Sequence, residues 1–208
     1  MPRFAIIGFG SLLWDLDNLE PHVTGEWEYY TGPILPLEFS LISTKRKQAL
    51  ALTIDLESGI PCPTCVITSQ RESIEQTVDD LAAREQTPKD KIGFCQQNLN
   101  HSWSRSQSIS GGIKTWLGPS RFDGAVWTDS GSNFEYVTGL DFSVTTALEY
   151  LRSLRETSLI EAKHYIENAP SRVDTPLRRA LARESWWLNL PCKSQVQRWR
   201  GDINTAVQ

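Results

Sequence analysis

The sequence predicts an α+β fold, and three observations carry that prediction. The chain opens on an apolar run, Phe4-Ala5-Ile6-Ile7, that stops abruptly at Gly8-Phe9-Gly10-Ser11. Further β-prone runs recur over residues 34–42, 49–54 and 65–68. From residue 143 onward the apolar residues take helical spacing. Strands concentrated early and helices late read as segregated layers.

The elements follow in order. Phe4 to Ile7 reads as a buried first strand, ended by two glycines that open backbone conformations closed to other residues. Ser69-Gln70-Arg71-Glu72 matches a capping box, which predicts a helix from there to about Gln86. Ile74, Val78 and Leu81 mark its apolar face, and Glu85 falls four residues beyond Leu81 on that same face. Arg71, Glu75, Asp79 and Arg84 take the other faces. Thr87-Pro88 reads as an N-cap with Pro at the first helical position, followed by a helix with Ile92, Cys95 and Leu99 on one side. Glu85 then sits at a junction between two helices.

Residues 102–112 hold five serines and two adjacent glycines and read largely as loop. Ile109, Ile113, Trp116 and Leu117 keep helical spacing. Ala125 to Thr128 is a late strand entered through the Asp123-Gly124 turn. Asp129 to Phe134 reads as a polar loop, either plain surface or the rim of a pocket. Ser143 caps a helix carrying Val144, Ala147, Leu148, Leu151 and Leu154; Leu159, Ala162 and Ile166 mark another. Thr175-Pro176 repeats the cap-and-proline signature before Leu177, Ala180 and Leu181. Trp186-Trp187 packs this layer or lines a ligand or partner surface. The boundaries expected are residues 1–140 for the strand-rich domain, 141–192 for a helical extension packed on it, and 193–208 for a polar tail.

Composition narrows the function classes. At 208 residues, 39% hydrophobic and 22% charged, the chain has the balance of one globular unit. A net charge of −4 argues against a general grip on nucleic acid. No apolar stretch reaches the length of a membrane span, and Gly8, Gly10 and Asp15 interrupt the opening run, so neither a span nor a signal peptide is expected and the default location is cytoplasmic. Cys62-Pro63-Thr64-Cys65 precedes Val66-Ile67-Thr68, a strand context rather than the helix start that activates redox thiols, and it lacks a second ligand pair for zinc. Structural cysteines are expected at 62, 65, 95 and 192, with no metal. His22, His101 and His164 are scattered and form no motif.

The chemistry concentrates in two places. The turn Gly8-Phe9-Gly10-Ser11-Leu12 can aim consecutive N–H groups into a concavity that attracts carboxylate or phosphate; the same turn also serves as a plain strand exit. Glu85, on the core-facing side of its helix, is costly unless paired, hydrogen-bonded or protonated, and that cost makes it a candidate acid or base. Within Lys45-Arg46-Lys47, an ordinary solvated turn, Arg46 has the fork that matches a substrate carboxylate.

Phe9-Gly10-Ser11-Leu12 and Leu81-Ala82-Ala83-Arg84-Glu85 together resemble the γ-glutamylcyclotransferase-like superfamily, whose members open with a strand and a Tyr-Gly-Ser-Leu loop and carry one essential glutamate at a helix end. The resemblance covers roughly the first half of the chain. Phe9 departs from it, removing a hydroxyl at the usual Tyr position. The likeness implies that the strands form a small, mostly antiparallel barrel with helices around it. It also implies cyclisation of a small-molecule γ-glutamyl amide to 5-oxoproline, with Glu85 as proton carrier and Gly8, Phe9, Gly10, Ser11 and Leu12 holding substrate. No cofactor is required. Another amide-cleaving enzyme, or a non-catalytic module binding an anionic metabolite, would use the same residues.

Overall fold

The computed structural model describes residues 2–97 and 101–191. In chain order the strands and α-helices are β1 (Phe4–Gly8), β2 (Val23–Glu28), β3 (Ile34–Ser43), β4 (Ala49–Ile54), β5 (Ile60–Pro63), β6 (Cys65–Ser69), α1 (Ile74–Glu85), β7 (Ile92–Gln96), β8 (Ser102–Trp103), α2 (Gln107–Leu117), β9 (Gly124–Thr128), α3 (Phe134–Thr138), α4 (Val144–Ser153), α5 (Glu156–Asn168), α6 (Pro176–Leu181) and α7 (Ser185–Leu188). The fold is α+β. Its strands form a six-stranded sheet, ordered β2-β6-β1-β9-β7-β8, and a three-stranded sheet, ordered β4-β3-β5. The β1–β9 pair is parallel; the other pairs among the described residues are antiparallel.

The unbroken apolar run of β1 has a direct cause. Ala5, Ile7 and Phe9 enter one core, shared with the small sheet and the C-terminal helices, while Phe4 and Ile6 enter a second core against α1. A strand buried on both faces has no polar side to alternate with.

No closed barrel forms among the described residues. β5 pairs with β3 only from Ile34 to Leu37. Beyond it, the edge of β3 is taken by side chains: the Ser132 hydroxyl donates to the Ser40 carbonyl at 2.9 Å, and Asn133 accepts from Ile42 N–H at 2.7 Å and donates to its carbonyl at 3.1 Å. These contacts satisfy an edge that a closing strand would otherwise need.

Two helix starts differ from expectation. The N-cap of α1 is Ser73, whose hydroxyl accepts from Gln76 N–H; Ser69 ends β6, and its hydroxyl accepts from Arg71 N–H at 3.1 Å. Ser69 therefore closes the strand-to-helix loop instead of opening a capping box. After Thr87-Pro88 comes a single 3₁₀ turn, Lys89–Lys91, and then β7. Ile92 packs in the α1-side core and Cys95 in the other. Three-residue spacing mimics a helix when both faces of a strand are buried. Gly93 reinforces the strand, since a Cβ there would overlap the Trp127 indole. Leu99 lies outside the described residues, as do Cys192 and residues 193–208.

The C-terminal helices start as their sequence indicates. Ser143 and Thr146 form a reciprocal capping box at α4, and Thr175 caps α6 with Pro176 in its first turn. Ala147, Leu151, Ala162, Tyr165, Leu177, Leu181 and Trp187 join Phe39, Leu50 and Ile54 in one core, so this layer is continuous with the small sheet. Lys163 ties α5 to the α7 region by donating to the carbonyls of Trp187 and Leu190 at 3.0 and 2.9 Å. No helix among the described residues is long and apolar enough to cross a membrane.

Candidate functional site

The exit of β1, the C-terminal end of α1, the β3–β4 turn and α5 converge on one cavity of about 540 Å³. That size lies within the ~300–1,000 Å³ of small-molecule sites. Phe9, Gly10, Ser11, Leu12, Arg46 and Glu85 all line it. Gly8 does not. It ends β1, and the Trp27 ring fills the space beside it, 2.5 Å from where a Cβ would stand. Its glycine identity serves packing.

Arg84 organises the site. Its side chain is 1% exposed, although its charge suggested a solvent-facing position. Nη2 donates to the Asp15 carbonyl at 2.5 Å and to Ser11 Oγ at 3.3 Å, and Nη1 donates to Glu85 Oε1 at 3.2 Å. Asp15 Oδ2 lies 3.8 Å away. One guanidinium thus fastens the Gly10–Asp15 loop to the helix end that holds Glu85. Glu85 is partly buried; Arg84 occupies Oε1, while Oε2 makes no protein hydrogen bond among the described residues. Ser11 Oγ accepts from Arg84, which leaves the hydroxyl hydrogen available to a ligand oxygen.

Gln86 ends α1 in the left-handed region, at φ 54°. Beside that helix end, Lys45 Nζ donates to the Arg84 carbonyl at 3.0 Å, where helical carbonyls lack intrahelical partners. Burial, reinforced by the charges of Arg84 and Arg46, pulls the Lys45 ammonium below its ordinary value, while Glu85 opposes the shift. The turn that presents Lys45 and Arg46 is tight: a 3₁₀ segment Thr44–Arg46 is followed by Lys47 and Gln48 at φ 55° and 68°. Arg46 Nη1 lies 3.5 Å from Glu161 Oε1, and its Cζ sits 4.6 Å over the Tyr165 ring.

Tyr165, from α5, completes the wall. A Cβ on Gly10 would overlap its hydroxyl. Lys45, Arg46 and Arg84 therefore face one lining carboxylate, Glu85, a balance that favours an anionic ligand.

Sequence reasoning singled out neither Arg84, Lys45 nor Tyr165. Arg84 stands three residues beyond Leu81, so the helical spacing that points Glu85 inward also admits Arg84. Tyr165 shares its helix face with Ala162 and Ile166, and nothing local marks it as reaching position 10.

Other side chains lie elsewhere. Asp129 is fully buried rather than part of a surface loop: Oδ2 accepts from the Ser104 hydroxyl at 2.8 Å and from Arg105 N–H at 2.9 Å. Its neighbours Thr128 and Ser130 line the cavity. Trp186 packs edge-on to Trp187 at 5.7 Å and beneath Arg152, away from the cavity. His22 contacts Arg71 and Asp80, His101 meets Phe94 edge-on, and His164 contacts Asn168. Cys62, Cys65 and Cys95 are buried free thiols. No group of His, Cys, Asp and Glu arranged to hold a metal occurs among the described residues.

Comparison with family models, curated proteins and solved structures finds no match to this chain.

Proposed function

We propose that the protein is a γ-glutamylcyclotransferase-like enzyme that converts a γ-glutamyl amide to 5-oxoproline and a free amine or amino acid. The observation that carries this reading is the Ser11–Arg84–Glu85 chain of contacts. It joins a glycine-bounded loop to a single carboxylate with one oxygen left open, inside a cavity rich in cations.

The reaction asks for little more than that arrangement. The substrate's α-amine attacks its own γ-carbonyl, so the nucleophile is already tethered and the site must fold the substrate toward ring closure. One C–N bond forms and another breaks. The α-ammonium gives up two protons in becoming the ring N–H, one before attack and one after it, and the departing nitrogen takes up both and leaves as an ammonium. Glu85, held through Oε1 by Arg84, carries them in turn through Oε2. The Ser11 hydroxyl hydrogen meets the oxygen on which charge develops. A cytoplasmic setting belongs to the proposal, and the buried unpaired thiols at 62, 65 and 95 fit a reducing compartment.

The test is incubation with a panel of γ-glutamyl peptides and amines, followed by mass spectrometry for 5-oxoproline. Glu85→Gln keeps shape and hydrogen bonding but cannot shuttle the proton, so turnover should fall by at least ~10²-fold. A folded Glu85→Gln protein with wild-type turnover sinks the proposal. The excess of lining cations also suits a non-catalytic binder of anionic metabolites. Such a protein would bind without turnover in both forms.

A further inference from the structure

The cavity has a wall that the proposed proton transfer does not use. It comes from the C-terminal helical layer, through Tyr165, and from the β3–β4 turn, through Arg46. The hydrogen-bonding capacity of each can be followed atom by atom. The Tyr165 ring is packed against Phe39 and Trp14, and its hydroxyl stands beside Gly10. A phenol has an O–H hydrogen to give to a ligand oxygen. Burial holds this hydroxyl above its ordinary titration range, so it remains a donor at neutral pH. Tyr165 is the one tyrosine among the lining residues, Phe9 having no hydroxyl.

Arg46 is set beside it with little freedom. Glu161 pairs with Nη1 on one side, and the face of Tyr165 lies beneath the guanidinium. A guanidinium has five N–H donors in a fixed fork, so most remain for a planar acceptor. A phenol hydrogen next to a stacked guanidinium is a pairing suited to a carboxylate.

We infer that Tyr165 and Arg46 form a carboxylate clamp, in which the phenol hydrogen and the guanidinium fork together hold the α-carboxylate of the ligand while Glu85 faces its reacting nitrogen. The inference rests on the proposed function for the identity of the ligand, but the clamp itself discriminates carboxylate from carboxamide whatever reaction follows. Tyr165 and Arg46 are binding and positioning residues. Glu161 acts through Arg46.

The experiment measures affinity by NMR titration for two probe pairs that differ only in carboxylate against primary amide: 5-oxoproline with its amide, and N-acetylglycine with its amide. Wild-type protein should favour each carboxylate. Tyr165→Phe should lower carboxylate affinity about tenfold or more, as expected for one hydrogen bond to a charged group, and leave amide affinity nearly unchanged. Arg46→Met should do the same, which covers the case in which Tyr165→Phe folds poorly. Equal binding of carboxylate and amide by the wild-type protein, no binding of either carboxylate, or undiminished discrimination in both folded variants overturns the clamp. Turnover of the γ-glutamyl panel is scored separately. Carboxylate selectivity without 5-oxoproline formation sinks the enzyme reading and leaves the clamp standing. Turnover with unaltered selectivity in the variants does the reverse.

Discussion

Arg84 and Ser11 are separated by 73 positions in the chain, and Arg84 Nη2 lies 3.3 Å from Ser11 Oγ. The contact joins a strand exit to a helix end, and neither segment has another charged group so deeply buried at this junction. Its removal is therefore informative. Arg84→Met fills similar space but deletes the hydrogen bonds to the Asp15 carbonyl, Ser11 and Glu85. Since hydrogen bonds to charged groups contribute about 1.5–3 kcal/mol each, the loss should be at least ~2 kcal/mol. Urea denaturation measures it; an unchanged midpoint with an unchanged slope would show that Arg84 is incidental.

Gly10 and Tyr165 should be energetically coupled. A Cβ at position 10 would overlap the Tyr165 hydroxyl. Gly10→Ala is expected to cost ~1–3 kcal/mol by overpacking. Tyr165→Phe removes the obstacle, so the double variant should be more stable than the sum of the single effects predicts, by at least ~0.5 kcal/mol. Strict additivity would mean that the loop, not the hydroxyl, gives way.

The buried thiols should be inert until the protein unfolds. Burial pushes Cys62 and Cys95 up to about 11 and raises Cys65 in the same direction. In a Cys192→Ser background, which removes the cysteine outside the described residues, a thiol-specific chromogenic reagent at pH 8 should detect no fast-reacting group in the native state. All remaining thiols should react in denaturant. A fast native phase contradicts the burial of the β5–β6 corner and β7.

Glu38 gives a pH dependence with a definite sign. It is fully buried; Oε1 accepts from Phe39 N–H at 2.7 Å and Oε2 from Leu177 N–H at 3.3 Å, at the start of α6. Burial outweighs these hydrogen bonds and that of Thr175, and raises the carboxyl above its ordinary value of 4.5. The folded state then holds the proton more tightly than the unfolded one. Its contribution to stability is complete below about pH 4.5 and declines as pH rises through the raised folded value. Glu38→Gln cannot titrate, so the stability of wild type relative to this variant should fall between acid and neutral pH. A relative stability that rises with pH would reverse the assignment.

Much of this site could be read from local pattern. The turn after the first strand and the glutamate four residues past Leu81 are local facts, and both line the cavity. The caps at Ser143 and Thr175 are equally local, because a hydroxyl reaches an N–H three residues away whatever the rest of the chain does. Ile92 and Cys95 misled for the opposite reason. Their three-residue spacing is helical only if one face is apolar, and β7 is buried on both.

The amino-acid order was enough for the α+β class, the apolar first strand and the inward direction of Glu85. These depend on propensity, spacing and the restrictions on neighbouring backbone, all of which act over a few residues. Assembly decided the rest: that β3 ends against Ser132 and Asn133 rather than closing a barrel, that Arg84 is buried between Ser11 and Glu85, and that Tyr165 delivers a hydroxyl to a loop 155 positions earlier. Such contacts have no local signature. A buried guanidinium or phenol is stable only where distant donors and acceptors converge on it, and that convergence exists only in the folded chain.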